Sequence, residues 1–394
     1  MNSPERAVEQ PVIVAGDAAL ARHCELWAAA PLLALDTEFL RERTYYPIPG
    51  LVQLCDGQGI YLLDVATFED WTPFARLLAD TAMPKVMHAG SEDLELFQRV
   101  LGVLPQPLYD TQIGAALAGL GFSLSYQALV DRCVGIEVPK DLTRTDWTRR
   151  PLSPGQLVYA ARDVAYLPAI FQQLSDQLEA ADRLGWWQAD SAQMTRQLGT
   201  ALSDDALVAR VKGAWRLAPH KLAVLRALVI WREALARERD IPRGFVIKDP
   251  QLLELALRLP TDRNGLVRID GVGEGFVRRY GDAVLEIIDA ASALPESELP
   301  EILPQPLDRA YSGVLKGLRT HFQQRAEALG MAPEMLVRRQ DGEQLLRSYL
   351  AGECRLPDNL RGWRAAVVGD DVWDVVARLI NGPGDGPQDQ ELSA

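Results

Sequence analysis

The sequence predicts an α/β domain with a mixed β-sheet in the first half of the chain, followed by two small all-α domains. Short apolar runs alternate with amphipathic stretches over about the first 200 residues, no strand-like run follows them, and a proline-rich stretch divides the remaining helical sequence. The 394 residues and a hydrophobic content of 48% are enough for a hydrophobic core in each domain.

In the first part of the chain, four short apolar runs beside turn residues predict β-strands. The early runs lie close together and later ones are separated by helical stretches, which favours a mixed sheet. Amphipathic spacing predicts the helices. The predicted strands cover residues 32–39, 51–54, 60–63 and 86–88, and the predicted helices include residues 71–78, 91–101, 111–120 and 156–178.

Composition shifts divide the chain into segments. Residues 1–203 make up the predicted α/β domain, and residues 204–290 and 307–381 make up the two predicted helical domains. Closely spaced prolines indicate a stiff linker over residues 291–306, and a Gly-, Pro- and acid-rich composition indicates a disordered tail over residues 382–394. The similar size of the two helical blocks leaves a diverged duplication open.

The cysteine and histidine content excludes two common classes of protein. The four cysteines are scattered without a Cys-x-x-Cys pair, which excludes a disulfide framework or zinc ribbon and is typical of a reducing cytosol. Four histidines, none close to another, argue against a histidine-based zinc enzyme. The sequence shows neither a membrane-spanning apolar run nor a secretory signal. We expect a cytoplasmic protein with no membrane partner and no obligate protein partner.

The charge is unevenly distributed along the chain. Overall, 41 basic and 54 acidic residues give a net charge of −13, which by itself argues against bulk attraction to nucleic acid. Residues 204–289, by contrast, carry 15 basic residues, mostly arginine, and 13 acidic residues. The acidic first block does not exclude a nucleic-acid substrate, because bound cations can invert the local field.

Two acidic residues share one face of the first predicted strand. In the run LALDTEF, Asp36 and Glu38 are two positions apart, and alternate residues of a strand point to the same face. Two carboxylates in an apolar strand repel each other and lose hydration unless a cation joins them. An oxygen-preferring cation such as Mg²⁺ or Mn²⁺ fits this pattern, although a solvated strand edge would also produce it.

Later segments add two more acids and a tyrosine. Asp93 lies in the first turn of a predicted helix with Ser91 as its expected N-cap, although complementation of the helix dipole would also explain this acid. Tyr159 and Asp163 are four residues apart on a helix and share a face, unless the tyrosine packs on the core beside an exposed acid. Asp110 is expected to cap the helix that follows it.

Together, the four acids suit a site that holds two divalent cations. Such a pair can clamp a scissile phosphate, one ion activating water and the other stabilising the leaving oxygen. Tyr159 would hydrogen-bond the attacking water and orient it. This chemistry needs neither cysteine nor histidine, so the scarcity of both is no objection. The predicted carboxylates are Asp36, Glu38, Asp93 and Asp163.

At these residues the chain resembles the DEDD superfamily of 3′→5′ exonucleases and, within it, the ribonuclease D family. The resemblance covers about the first 200 residues and rests on five motifs in order at compatible spacings. A tyrosine rather than a histidine four residues before the last acid is the mark of the DEDDy subgroup. The motifs read LALDTEFLRERTYYP (33–47), HAGSEDLELF (88–97), PQPLYDTQI (105–113), RTDWTRRPL (144–152) and YAARDVAYL (159–167).

The resemblance implies an RNase H-like fold, two divalent cations (Mg²⁺ or Mn²⁺) on the four acids, and Tyr159 as a catalytic residue. It also implies hydrolysis of RNA from the 3′ end to nucleoside 5′-monophosphates, without a covalent enzyme intermediate. The expected partners are RNA molecules, tRNA precursors in particular, that carry single-stranded 3′ tails.

The helical blocks carry a second resemblance. Residues 269–288 resemble the end of an HRDC domain, a helical nucleic-acid-binding module. The turn GVGEG (271–275) within it would bring backbone amides near a phosphate or simply connect two helices. The last block, around GWR (362–364), resembles the second HRDC-like domain of ribonuclease D more loosely. Because this block has more acidic than basic residues, we expect it to form part of the wall around the site rather than to bind RNA directly.

Residues near the acids are candidate substrate contacts. His88 would touch substrate or buttress the metal ligands, with a structural role favoured. Tyr45 would stack a terminal base or pack a loop. Basic residues before the Tyr159 helix would contact phosphates or remain solvated surface. These basic residues are Lys140, Arg144, Arg149 and Arg150.

Two other functions compete with an exoribonuclease. A DNA 3′→5′ exonuclease, as in proofreading polymerases or Werner-type helicases, would use the same chemistry. A non-catalytic RNA-binding scaffold is a rival from another class, but a scaffold gains nothing from four converging acids.

Overall fold

The computed structural model of the protein describes residues 4–139, 145–199 and 203–381. Contacts divide the chain into two units. The first combines Met1–Glu38, Pro49–Arg196 and Leu307–Ala394, and the second combines Phe39–Ile48 and Gln197–Pro306. The first unit therefore contains most of the predicted α/β domain together with the last helical block, although the two are far apart in sequence.

A six-stranded mixed sheet forms the centre of the α/β part. Its strands are Val12–Val14 (β1), Leu33–Leu40 (β2), Ile48–Cys55 (β3), Ile60–Asp64 (β4), Lys85–Met87 (β5) and Leu108–Asp110 (β6). The order is β1-β4-β3-β2-β5-β6, with β1 parallel to β4, β5 parallel to both β2 and β6, and β3 antiparallel to β4. The predicted mixed sheet is confirmed. The predicted strands do not include β1 and β6, each of which is three residues long.

The helices of this part include the four predicted ones, three of them with changed bounds, and four that the sequence analysis did not predict. They are α1 (Pro4–Glu9), α2 (Asp17–Trp27), α3 (Thr72–Ala79), α4 (Ser91–Leu101), α5 (Thr111–Leu117), α6 (Tyr126–Val134), α7 (Pro154–Ala165), α8 (Leu167–Ala180) and α9 (Leu184–Gly199). The helix predicted over residues 156–178 is divided into α7 and α8, because Pro168 favours the start of a new helix. Ser91 is the first residue of α4 and Gly90 is its N-cap, one position earlier than expected.

One face of the sheet is directed towards α7. Ala34 of β2 pairs in register with Val86 of β5, and both belong to the buried cluster that contains Ala161 of α7. Because alternate residues of a strand share a face, Asp36 and Glu38 continue the row that begins at Ala34. The acids of β2 therefore face the helix predicted to carry Tyr159 and Asp163.

The second unit is helical. Its helices are α10 (Asp204–Ala209), α11 (Pro219–Glu238), α12 (Arg243–Val246), α13 (Asp249–Arg258), α14 (Arg263–Val267) and α15 (Glu274–Ser292). Leu228, Leu252 and Val284 are fully buried in its core. Tyr45, from the segment that follows β2, packs against the same core.

The last helical block repeats the order of helices seen in the second unit. Its helices are α16 (Ser312–Ala328), α17 (Pro333–Leu336), α18 (Arg339–Leu350), α19 (Trp363–Val368) and α20 (Val372–Asn381). In both blocks a long helix is followed by a four-residue helix, a helix of 10 or 12 residues, a short helix and a final longer one. This shared order supports a diverged duplication. Across the described ranges, no helix combines the length and apolar character of a membrane span.

The last block packs directly on the α/β part within the first unit. Phe322 of α16 belongs to the same buried cluster as Ile170 of α8. The backbone N–H of Ala332 donates to the carbonyl of Ala116 in α5, with an N–O distance of 2.9 Å. The block thus extends the core of the α/β part, whereas the second unit has a core of its own.

Candidate active site

Three carboxylates from two elements meet at one place in the first unit. Asp36 and Glu38 of β2 and Asp163 of α7 each offer an oxygen that lies within 4.8 Å of the oxygens offered by the other two. All three residues are partly buried. The i and i+2 spacing on a strand opposite a helix therefore brings these acids together, as the sequence predicts.

Asp93 borders this cluster from the first turn of α4. It is 8% exposed and accepts a hydrogen bond from the hydroxyl of Thr37, with an O–O distance of 2.5 Å. Thr37 lies between Asp36 and Glu38 on β2. The negative charge of Asp93 raises the pKa of both neighbouring acids, which places it within electrostatic reach of them. The carboxylate group thus consists of the three clustered acids with Asp93 at their border.

Asp110 fixes the turn that begins α4. Ala89 in this turn adopts a φ of +54°, a conformation that costs energy for a residue with a side chain. The next N–H, of Gly90, donates to Oδ2 of Asp110 at 2.9 Å. Oδ1 of Asp110 accepts from the N–H groups of Gln112 and Ile113, which confirms its predicted capping of α5. Asp110 therefore joins the starts of two helices, one of which carries Asp93.

Burial raises the pKa of every carboxylate in the group, and repulsion among these acids adds to the shift at Asp36 and Glu38. Burial, followed by the charges of Asp93, Asp163 and Glu38, raises the pKa of Asp36 well above its usual range. Burial and the two helix acids raise the pKa of Glu38 to about 9. Burial raises the pKa of Asp93 to about 6 and that of Asp163 to about 7, with hydrogen bonds from neighbouring hydroxyls opposing the shift. Such a group is unfavourable without a nearby cation.

Tyr159 lies one helical turn before Asp163 on α7. Its hydroxyl interacts with the carboxylate of Asp163 and lowers the pKa of that carboxyl. Burial, followed by the charges of Asp163, Glu38 and Asp36, raises the pKa of Tyr159. Because Asp163 belongs to the carboxylate group, the alternative of a core tyrosine beside an exposed acid does not describe this helix.

His88 follows β5 and both of its ring nitrogens have protein partners. Nε2 donates to the carbonyl of Leu124 at 3.0 Å, and Nδ1 lies 2.9 Å from the hydroxyl oxygen of Thr111. The ring also packs edge-on against Tyr126, with centroids 5.8 Å apart. Burial lowers the pKa of His88. This geometry favours a structural role over contact with substrate.

Tyr45 belongs to the second unit through its contacts. Its hydroxyl donates to Glu233 at 2.5 Å and accepts from Nη2 of Arg243 at 2.8 Å. The guanidinium carbons of Arg243 and Arg237 lie 4.9 and 5.6 Å from the centre of its ring. Because arginine side chains already contact the ring, the geometry favours the loop-packing alternative over stacking of a base.

The basic candidates have different outcomes. Lys140 and Arg144 lie outside the described residues. The expectation of a phosphate contact at Arg150 does not hold, because its guanidinium donates to Oδ1 of Asp64 at 2.6 and 2.9 Å and to the carbonyl of Gly50 at 2.7 Å. Its charge is thus committed within the protein.

Sequence reasoning does not indicate Thr37 as part of the site. Alternation assigns it to the face of β2 opposite Asp36 and Glu38, and its hydrogen-bond partner Asp93 is 56 positions away in sequence. No local pattern reports a contact of that sequence separation, and it becomes visible only in the folded chain.

The donor set fits hard divalent cations. It consists of carboxylate oxygens, without cysteine or histidine among the clustered residues. Mg²⁺ and Mn²⁺ prefer oxygen ligands of this kind. A bound cation would also offset the cost of burying these charges and the repulsion between them. The residues present therefore suit the metal chemistry that their spacing predicts.

Comparison with protein families assigns both main parts of the chain. Residues 11–179 match the 3′-5′ exonuclease family, and residues 221–288 match the HRDC domain. The first match spans the sheet, the four acids and Tyr159. The second lies within the predicted first helical domain.

Proteins similar over nearly the whole chain are ribonucleases D. The Pseudomonas paraeruginosa protein is 45% identical over 354 residues, covering 90% of this chain and 94% of that protein. The Escherichia coli protein is 37% identical over 366 residues, covering 91% and 96%. The crystal structure of E. coli RNase D, "an exoribonuclease involved in structured RNA processing", matches with a TM-score of 0.86 and 34% identity, covering 94% of this chain and 99% of that one. The chain therefore belongs to the ribonuclease D family of metal-dependent 3′→5′ exonucleases.

Proposed function

We propose that the chain hydrolyses RNA from its 3′ end and releases nucleoside 5′-monophosphates, with two divalent cations held by four carboxylates. The observation that carries this proposal is the cluster of acids from β2 and α7, bordered by Asp93 of α4. Four shared carboxylates suit two cations better than one, because a single hard cation needs fewer charged ligands. The proposed ligands are Asp36, Glu38, Asp93 and Asp163.

The protein groups divide the work of the reaction between them. When bound, the cations supply the positive charge that activates water and stabilises the leaving oxygen. The hydroxyl of Tyr159, beside the Asp163 carboxylate, would orient a water for in-line attack. A phenol has an ordinary pKa of about 10, so Tyr159 acts at neutral pH by hydrogen bonding rather than as a base. The described group contains carboxylates and a phenol but no thiol, which favours direct attack by water.

The proposed substrates are structured RNAs with single-stranded 3′ tails, tRNA precursors among them. The E. coli relative is described as acting in structured RNA processing. The HRDC match covers the arginine-rich part of the chain, which supports a contribution of the second unit to RNA binding. Phosphate contacts of this kind position RNA without reading its sequence.

The test uses an RNA hairpin with a single-stranded 3′ tail, labelled at the 5′ end in one sample and at the 3′ end in another. With Mg²⁺ or Mn²⁺, we expect a ladder that shortens from the 3′ end and release of labelled mononucleotide from the 3′-labelled sample. EDTA and Asp36→Asn should both abolish cleavage. The matched control is Asp56→Asn, a partly buried acid in the loop between β3 and β4.

Matched substrates separate the two competing functions. A DNA hairpin of the same sequence, degraded faster than the RNA, would assign the chain to DNA. RNA that is bound with unchanged affinity by Asp36→Asn but never shortened by the wild-type protein would support a non-catalytic binding protein. Internal cuts, or shortening from the 5′ end, would contradict the proposed polarity.

A further inference from the structure

Trp147 forms a wall beside the side chain of Tyr159. The two ring centroids are 5.9 Å apart and the ring planes are inclined by 39°. Trp147 is 1% exposed and belongs to a small buried cluster with Leu51, Leu62 and Ala160. This cluster joins β3, β4 and α7, and Tyr159 packs against it. The tyrosine ring is therefore in contact with a rigid, fully buried neighbour.

The absence of a side chain at Gly50 allows Trp147 to lie close to the backbone of β3. A Cβ atom at Gly50 would lie 2.6 Å from the carbonyl oxygen of Trp147 and 2.7 Å from its Cβ. Both distances are too short for any side chain, and the nearest atoms include backbone, which cannot turn away. Only glycine lets β3 approach the Trp147 segment this closely.

Arg150 joins the segment that contains Trp147 to Gly50 of β3 and to Asp64 at the end of β4. Its Nη1 donates to the carbonyl of Trp147 at 2.9 Å and its Nη2 to the carbonyl of Gly50 at 2.7 Å. Its Nε and Nη2 also donate to Oδ1 of Asp64, at 2.9 and 2.6 Å. The planar guanidinium suits several such fixed bonds at once, which the ammonium of a lysine cannot reproduce.

The segment is also tied to the start of α7. Ser153 and Gln156 form a reciprocal capping box at that end of the helix. The side-chain amide of Gln156 donates to the hydroxyl of Thr145 at 3.2 Å. Residues 145–153 are thus attached at one end to the helix that carries Tyr159 and, through Arg150, to two strands.

We propose that Trp147, locked by Arg150, is a positioning residue that holds the ring of Tyr159 so that its hydroxyl reaches Asp163. This inference rests on the proposed function, in which that hydroxyl orients the attacking water. The indole N–H of Trp147 is buried without a hydrogen-bond partner among the described residues. The position of the Trp147 ring is therefore set by packing and by the hydrogen bond from Arg150 to its backbone carbonyl. Its contribution to the site is the surface against which the ring of Tyr159 packs.

The test is a double-mutant cycle that combines Trp147→Leu and Tyr159→Phe in the full chain. For each variant, kcat and KM are measured on the tailed RNA. A small displacement of a catalytic group lowers the rate of the chemical step. Because Trp147→Leu should displace the phenol of Tyr159, we expect it to lower kcat ~10-fold with KM little changed. In the Tyr159→Phe background it should change kcat less than about twofold, because no hydroxyl remains to be positioned. Trp147→Phe, which keeps an aromatic wall, should recover most of the rate.

Trp27→Leu is the matched control. Trp27 is also fully buried in the first unit, its indole N–H also lacks a partner among the described residues, and it packs against Tyr61 and Phe74 rather than Tyr159. Trp27→Leu should reduce thermal stability about as much as Trp147→Leu does. Its effect on kcat should be the same in the wild-type and the Tyr159→Phe background. If Trp147→Leu does not fold, Arg150→Lys takes its place in the double-mutant cycle. This substitution removes the hydrogen bonds of the guanidinium without leaving a cavity in the core.

The outcomes separate the inference from the function on which it rests. Equal effects of Trp147→Leu in both backgrounds, or a wild-type kcat for Trp147→Leu, overturn the positioning role alone. A wild-type kcat for Tyr159→Phe overturns the role of the hydroxyl, and the positioning role with it. Non-additive loss with rescue by phenylalanine supports the proposal.

Discussion

The guanidinium of Arg364 donates two hydrogen bonds, at 2.7 and 2.6 Å, to the two carboxylate oxygens of Asp190. The residues are 4% and 7% exposed. The indole N–H of Trp363 donates to the same carboxylate at 3.1 Å, and its ring stacks on Trp186 with centroids 4.3 Å apart. This contact joins α9 to the last helical block inside the first unit. Its burial makes the block part of the nuclease fold.

Replacing Arg364 with methionine should destabilise the first unit severely. The substitution leaves the Asp190 carboxylate buried without its partner, which costs about 3–5 kcal/mol. The free energy of unfolding, measured by denaturant titration, checks this. The control is Arg339→Met, since Arg339 is 94% exposed in its pair with Glu343 and should contribute less than about 0.5 kcal/mol. Equal stability of the two variants would contradict a structural role for the buried pair.

Tyr159→Phe should fold normally and lose most of its activity. Loss of the hydroxyl that orients water should lower kcat ~10²-fold or more, because general catalysis by a positioned group contributes at least that much. Single-turnover cleavage and a thermal unfolding curve give the two readouts. Tyr61→Phe removes a hydroxyl bonded to Asp56 and serves as the control. Near wild-type turnover of Tyr159→Phe would remove this residue from the mechanism.

Glu38→Gln should stabilise the protein in EDTA and lose that advantage in Mg²⁺. Without metal, burial and the neighbouring acids penalise the Glu38 carboxylate, so an uncharged amide should gain about 1–3 kcal/mol. A cation that binds only the folded wild type adds about 2.7 kcal/mol at 100 times its Kd. Thermal unfolding of both proteins in EDTA and in Mg²⁺ checks the reversal. A cation-independent difference between them would argue against Glu38 as a ligand.

The second unit should be sensitive to acid through Glu233. Burial raises the pKa of this carboxyl, but hydrogen bonds from Arg243 and Tyr45 and the nearby arginine charge outweigh burial and lower it to about 2. A depressed folded pKa contributes stability that is complete above the unfolded value of about 4.3 and is lost as pH falls towards 2. The contribution should be about 1–2 kcal/mol, because the arginines are partly exposed and screened.

Glu233→Gln measures that contribution directly. At pH 7 the variant should unfold at lower denaturant concentration than the wild type, and the difference should shrink as pH falls below 4. Hydrogen exchange of α11 and α12 localises the effect to the second unit. A stability difference that stays constant from pH 7 to pH 3 would contradict the assignment of the low pKa to Glu233.

The sequence predicted those features that depend on local periodicity. The i and i+2 acids of β2 and the i and i+4 pair of α7 follow from strand and helix geometry, and the fold places Asp36, Glu38 and Asp163 together. Contacts between residues distant in sequence were not predictable in this way. Thr37 with Asp93 and Arg150 with Asp64 are separated by 56 and 86 positions, and no local pattern reports them.

The two helical blocks show the same limit at the level of domains. In sequence they look equivalent, and their helices follow the same order. They differ in what covers their apolar faces: the first has a separate core, whereas the second shares the core of the α/β part, in one buried cluster that contains Phe322 and Ile170. Hydrophobic periodicity shows that a face is buried but does not identify its partner.

The most direct test of the central claim is the number of Mn²⁺ ions bound to the site, measured by electron paramagnetic resonance during a titration in the presence of a nucleoside 5′-monophosphate. The wild type should bind two ions per chain over the concentration range in which Mn²⁺ activates RNA cleavage. Asp36→Asn and Asp163→Asn should each bind fewer ions, or bind them much more weakly. A wild type that binds no more than one ion while fully active, or an Asp36→Asn variant that binds as the wild type does, would contradict a two-metal site on these carboxylates.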